Sequence, residues 1–235
     1  MKTPLVFLPG MMCDARLFGP QIEAMTPNRA VSCPDISSAK SIEALAEGVL
    51  SSAPETFALA GLSMGGIVAM EVLRQDPARL KGLALLDTNP LAELPEVAAN
   101  RAPQMEKARN GDLYSVMRDE MKPNYLAQGN RRQEVLSLCM EMAMDLGPEV
   151  FCRQSIALRD RPDQTATLAH CEVPTLILCG REDGLCPVSR HELMHQLVKG
   201  STLTIIEGAG HMPTLEMPAD TSAALSLWLR KVDDE

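Results

Sequence analysis

A short apolar run that halts at Gly61-Leu62-Ser63-Met64-Gly65 and resumes as an apolar helix constrains this chain more than any other stretch. Residues 57–60 read as a strand, and a helix follows from Gly66 towards Arg74. A serine at the apex of so tight a strand-to-helix turn sits on strained backbone. Glycines two residues to either side are required because a Cβ there would strike the neighbouring strand or helix. The helix aims its N-terminus at the serine, where negative charge is favoured. Ser63 is therefore either an exposed nucleophile or a serine that merely caps a helix in an ordinary α/β protein. A histidine and an acid in the right places downstream would separate the two readings.

The rest of the chain supplies a frame for that turn. Leu5-Val6-Phe7-Leu8 is a continuous apolar run, as expected of a strand buried on both faces of a parallel sheet. It stops at Pro9-Gly10. Residues 30–33 form a weaker second strand, and residues 80–86 a buried one ending at Asp87. Between them Ser41 is expected to cap a helix over 41–51, with Ile42, Leu45, Ala46 and Val49 on one face. Strand and helix in alternation predict an α/β fold built on a doubly wound, mostly parallel sheet.

From about residue 90 to 169 the strand pattern ceases. Helical segments are expected at 94–109, 113–121, 131–146 and 148–159, punctuated by Gly111, Pro123, Gly129 and Gly147. Met105, Met117, Met121, Met140, Met142 and Met144 crowd this stretch, either as core or as the lining of an adaptable pocket. Strands resume at 173–179 and 202–206, with a helix over 188–198 between them and a last helix from Pro218 to 232. The expected organisation is a core of residues 1–89 and 171–235 with a helical cap, 90–170, inserted over the carboxyl ends of the strands. Ligands bind at that end of such sheets.

Ser63, Asp183 and His211 each fall just past a strand, in the order serine, acid, histidine. A neutral hydroxyl needs an imidazole to take its proton, and the imidazole needs a carboxylate to fix its tautomer and stabilise its charged form. Asp87, at another strand end, is an alternative acid. Leu8-Pro9-Gly10, Gly61 to Gly66, Gly180-Arg181-Glu182-Asp183-Gly184 with Pro187, and Gly208-Ala209-Gly210-His211 with Glu216 to Pro218 stand in sequence. Together they resemble the motifs of the α/β-hydrolase superfamily, in particular its small, capped, cofactor-free, esterase-like members. The resemblance implies Ser63 as nucleophile, His211 as base and then acid, Asp183 as orienting acid, and the backbone N–H groups of Met11 and Met64 as oxyanion hole. Three departures stand out: Pro9 replaces the usual histidine, Ile36 to Lys40 replace a glycine-rich loop, and the sheet starts at the family's third strand, without its first antiparallel hairpin.

The activity so implied is hydrolysis of an ester, thioester or related acyl bond of a small molecule with an apolar acyl portion. Met12, Arg153 and Met212 are candidate substrate contacts. A lyase or carbon–carbon hydrolase is the alternative within enzymes, with Arg153, Arg159 and Arg161 placed to clamp a carboxylated substrate. A small-molecule receptor that keeps the triad is the alternative outside them. No cofactor and no metal are implied. His191-Glu192-Leu193-Met194-His195 matches a zinc-protease helix, but a catalytic zinc needs a third protein ligand, and a solvated helix face is the simpler expectation. His170 reads as structural, and Cys13 and Cys186 as pocket wall or bystanders.

Composition narrows the partners. Lys plus Arg number 22 against 31 Asp plus Glu, a net charge of −9, which argues against nucleic acid or an anionic membrane surface. Seven scattered cysteines without a Cys-x-x-Cys pair read as reduced thiols. The apolar run at residues 5–8 is too short for a signal sequence, and no stretch reaches the ~20 apolar residues of a membrane span. A cytoplasmic protein without a membrane span is expected.

Overall fold

The computed structural model describes residues 2–122, 125–129 and 131–234; the expected break at Pro123 lies outside the described residues. Six strands, β1 (Leu5–Leu8), β2 (Val31–Ser32), β3 (Phe57–Leu62), β4 (Leu80–Leu86), β5 (Thr175–Gly180) and β6 (Thr202–Ile206), form one sheet in the order β2-β1-β3-β4-β5-β6. Each of its pairings is parallel, so among the described residues there is no antiparallel hairpin. The chain runs out from β1 to β2 and returns on the other side of β1 as β3. The loops after β1 and β3 therefore flank the point where the winding reverses, the place where a crevice forms in such sheets.

The helices are α1 (Gly19–Met25), α2 (Ile42–Ser52), α3 (Met64–Gln75), α4 (Pro95–Lys107), α5 (Leu113–Ser115), α6 (Arg132–Arg159), α7 (Thr165–Ala169), α8 (Val188–Leu197), α9 (Pro213–Glu216) and α10 (Pro218–Asp234). Successive side chains of β1 point to opposite faces and find different partners. Leu5 and Phe7 pack with Phe18, Leu225 and Trp228 on the α1 and α10 side, whereas Val6 and Leu8 pack with Ile42, Leu45, Val68 and Val72 on the α2 and α3 side. Both faces are covered, which is why the strand is apolar throughout. Ser41 caps α2 as expected, its side chain accepting from the Ala44 N–H at 3.2 Å.

Between β4 and β5 the chain is helical, with differences from the sequence expectation. The segment over 113–121 is a short α5 followed by wider helical turns at Val116–Met121. The two helices expected at 131–146 and 148–159 do meet at Gly147, whose non-helical φ of 78° and ψ of 176° kink α6 there. This segment feeds both sides of the core: Met105, Met117 and Phe151 join the cluster of Val6 and Leu8, and Cys139 and Met142 join that of Leu5 and Phe7. Met105, Met117 and Met142 are thus core, Met140 and Met144 pack against it half-buried, and Met121 borders the cavity described below. Among the described residues no helix is long and apolar enough to cross a membrane, and the seven cysteines are free thiols.

Packing under the β3–α3 turn leaves no room for a side chain. A Cβ on Gly61 would come within 2.2 Å of the Gly65 carbonyl oxygen, and one on Gly65 within 2.0 Å of the Leu8 carbonyl oxygen. Gly65→Ala is expected to destabilise by about 1–3 kcal/mol through overpacking, read as a lower urea midpoint. Gly48→Ala, in the exposed middle of α2 with nothing within 4 Å of the new Cβ, should instead stabilise by about 0.5–1 kcal/mol. Equal effects at the two positions would contradict this account.

Candidate active site

Ser63 joins β3 to α3 with φ 54° and ψ −116°. Backbone held in so sparsely populated a region stores about 1–3 kcal/mol and persists only where surrounding bonds over-determine it. Here the Ser63 N–H donates to the Leu86 carbonyl at the end of β4 (2.9 Å), and the Ser63 carbonyl accepts from the N–H groups of Gly66 (2.9 Å) and Ile67 (3.1 Å). The same carbonyl accepts from Thr88 Oγ1 at 2.7 Å. The Ser63 side chain makes no capping bond to α3. It borders a cavity of about 360 Å³ instead, a volume suited to a small ligand.

His211, past the end of β6, borders the same cavity. Its Nδ1 lies 2.8 Å from Asp183 Oδ2, and Asp183 Oδ1 accepts from the N–H groups of Leu185 (2.8 Å) and Cys186 (3.0 Å). Burial by itself would raise the Asp183 carboxyl; His211 and the two amides outweigh it and hold the group below its ordinary range. A carboxylate facing Nδ1 places the ring proton there and leaves Nε2 as the base. Asp87, the alternative acid, is fully buried at φ 42°, and its Oδ1 accepts from the Gly180 N–H at 2.9 Å. Burial, and then the charge of Asp183, push its carboxyl well above the ordinary range. Asp183, not Asp87, meets the imidazole.

Residues from the helical segment complete this surround. The His211 N–H donates to the Tyr125 carbonyl at 2.6 Å, and the Tyr125 ring lies tilted against the imidazole with centroids 5.4 Å apart. The Glu216 carboxylate accepts from the N–H groups of Gly210 (2.8 Å), Met212 (3.2 Å) and Ala127 (3.0 Å), binding the histidine loop to residues 125–127. After β1, the Met12 N–H donates to Gln154 Oε1 of α6 at 2.8 Å.

Several sequence expectations need correcting. Met11 borders the cavity, but Met12, at φ 55°, turns its side chain into the core cluster of Val6 and Leu8. Met212 is packed into the opposite cluster, with Leu215 and Ala209. Arg153 faces the loop after β2, where its Nε donates to the Ser37 carbonyl at 2.8 Å. None of these three side chains is part of the cavity wall. Of the expected arginine clamp only Arg161 reaches the wall, since Arg159 pairs with Asp160 at the surface. Sequence reading overlooked Glu93 and Arg101, which join Arg161 there. The Arg101 Nε and Nη2 donate to Glu93 at 2.5 and 2.7 Å, and Arg161 Nη1 donates to the same carboxylate at 2.6 Å.

The zinc-protease pattern does not assemble a metal site. His191 is fully buried, not part of a solvated face, and its Nε2 accepts from the Thr88 N–H at 3.1 Å. His195 is exposed and bonds Ser201 Oγ through Nδ1 at 2.8 Å. Among the described residues the one group with metal-ligand spacing is Asp183, Cys186 and His211, whose ligand atoms lie within 4.8 Å of one another. Asp183 and His211 are already bonded together, and burial and the carboxylates of Asp183 and Asp87 push the Cys186 thiol well above its ordinary value, away from the thiolate a metal needs. Cys186 is cavity wall; Cys13, buried, has its thiol pushed up to about 12 and lies off that wall.

Comparison with known proteins points the same way as the geometry. The model of the alpha/beta hydrolase family matches residues 5–224. A pimeloyl-[acyl-carrier protein] methyl ester esterase of Yersinia enterocolitica is 25% identical over 231 residues, 91% of this chain and 88% of that protein. A biotin biosynthesis bifunctional protein of Teredinibacter turnerae is 24% identical over 192 residues, 76% of this chain but 34% of its own length, so the chain spans about a third of that relative. Among solved structures, a thermophilic esterase from Thermogutta terrifontis, described as malate bound, superposes with a TM-score of 0.90 at 28% identity, covering 98% of this chain and 90% of that one.

The buried His191 makes acid stability a test of the brace behind Ser63. Burial lowers its imidazole from 6.5 to about 4. Between those values the unfolded state binds the extra proton, so stability is intact above about 6.5 and declines as pH falls towards about 4. The loss amounts to up to about 3 kcal/mol. His191→Gln, which keeps an acceptor but cannot titrate, is expected to flatten that part of the urea-midpoint profile; an unchanged slope between wild type and variant would refute the assignment.

Proposed function

Because the chain belongs to the alpha/beta hydrolase family, we propose that it hydrolyses esters of small acyl compounds through a Ser63–His211–Asp183 triad. The observation that carries this reading is the 2.8 Å bond from His211 Nδ1 to Asp183 Oδ2, in a cavity whose wall also includes Ser63. In this mechanism His211 Nε2 takes the Ser63 proton as Oγ attacks the ester carbonyl. The imidazolium, stabilised by Asp183, returns that proton to the departing alcohol. Water then enters, loses a proton to His211 and releases the acid from the acyl-enzyme.

The oxyanion that forms needs donors already in place. Met64 occupies the first turn of α3, where an N–H has no partner within its helix. Met11 follows Gly10 at the cavity wall, on the loop that Gln154 steadies through Met12. Among the described residues no protein oxygen accepts from either amide. In the same reading residues 90–170 are the cap and residues 1–89 and 171–235 the catalytic core. The relative from Yersinia enterocolitica is a methyl ester esterase, which supports small alkyl esters as the bond cleaved.

Ser63→Ala is expected to lose at least about 10³-fold in kcat on a methyl ester, with reaction to a fluorophosphonate abolished. Asp183→Asn should lose about 10³–10⁴-fold in kcat while still folding. Hydrolysis by Ser63→Ala at the wild-type rate would remove the reading.

A further inference from the structure

The cavity wall carries more positive charge than it neutralises. Its charged side chains, His211 aside, are Arg101, Arg161, Arg190, Glu93 and Glu120. Glu120 is occupied by Lys107, whose Nζ lies 2.7 Å away, and by Gln104. That leaves the single carboxylate of Glu93 for two arginines, Arg101 and Arg161, whose side chains are 9% and 10% exposed. Arg161 spends further donors on the carbonyls of Leu91 (3.0 Å) and Leu158 (3.3 Å). Among the described residues Arg101 Nη1 meets only the thioether of Met11, at 3.8 Å, and a thioether is a weak acceptor. Arg190 makes no ion pair among the described residues.

A guanidinium taken this far from water is costly unless its donors are met by strong acceptors. Here that donor has only the weak Met11 thioether, on the wall of the cavity that Ser63 and His211 also border, so a stronger acceptor for it would lie in the same cavity as the scissile ester. We infer that Arg101, seated on Glu93, is a specificity residue that binds a carboxylate on the substrate, and that the natural substrates are half-esters: short acyl esters bearing a free carboxylate a few atoms from the ester carbonyl. The inference rests on the ester-hydrolase reading and names its substrate class. Glu93 fixes two of the Arg101 nitrogens and leaves the third, held only by the Met11 thioether, to a ligand. A carboxylate there forms a charge-assisted hydrogen bond, and Arg190 adds long-range attraction at the same wall.

The test compares monomethyl glutarate with dimethyl glutarate, which share a skeleton and differ in one charge, by methanol release. The wild-type protein is expected to favour the monoester in kcat/KM by about 10-fold or more, mainly through KM. Arg101→Gln should cut the monoester-to-diester ratio at least tenfold, and Arg101→Lys, which keeps the charge, should retain part of it. No preference in the wild type, or an Arg101→Gln variant that loses both substrates in equal proportion, would overturn the inference. A separate arm is independent of catalysis. Glutarate should raise the Tm of folded Ser63→Ala protein and fail to raise that of the Ser63→Ala/Arg101→Gln double variant. Equal shifts in both, or none in either, overturn the carboxylate site. Ester hydrolysis that survives Ser63→Ala overturns the triad alone.

Discussion

The start of α3 lies against the backbone of β1 with no room for a methyl group between them, and the position of the site follows from that contact. Gly65 faces the Leu8 carbonyl so closely that a side chain would overlap it, which seats Ser63 beside the loop after β1. The neighbouring strand ends are under load as well. Among the described residues the non-glycine positions with positive φ are Met12, Ser63 and Asp87, in the loops after β1, β3 and β4. Each is held by a bond from another element: Gln154 for Met12, Leu86 and Thr88 for Ser63, and Gly180 for Asp87. Strain gathered at one edge of a sheet and restrained from several sides is how a scaffold keeps reacting groups pre-set.

Electrostatics divides two neighbouring carboxyls between different states. Asp183 has an imidazole and two amides to favour its charge, whereas Asp87 has one amide and full burial. Like charges so close cannot both ionise in a poorly polarisable interior. The environment leaves one negative charge behind His211, on the carboxyl that touches it. This is how a buried site assigns distinct roles to chemically identical groups.

Much of this was legible from residue order alone, because strands covered on both faces must be apolar at every position. Strand β1 begins and ends where its apolar run does, and β4 and β6 keep their expected bounds although Lys81, Thr202 and Thr204 interrupt the apolar pattern; Ser63, Asp183 and His211 stand beyond strands. Features set by tertiary packing were not legible. In the His191–His195 helix the neighbours Glu192 and His195 are exposed, so nothing local betrays that His191 is buried against Thr88. Helices α7 and α9 are too short to show a period. The side chains of Met12 and Met212 were assigned to the cavity by nearness in sequence, yet backbone torsion turns Met12 into the core and packing takes Met212 there. Glu93, Arg101 and Arg161 are scattered along the helical segment and converge only through its own folding.

The bonds between residues 125–127 and the histidine loop tie the aim of the base to the helical segment. The Tyr125 carbonyl takes the His211 N–H, and the Ala127 N–H shares the Glu216 carboxylate with Gly210 and Met212. The imidazole is thus steadied from two directions, by Asp183 at its Nδ1 and by Tyr125 at its backbone. A substitution in that segment can therefore disturb the imidazole without touching Ser63, His211 or Asp183.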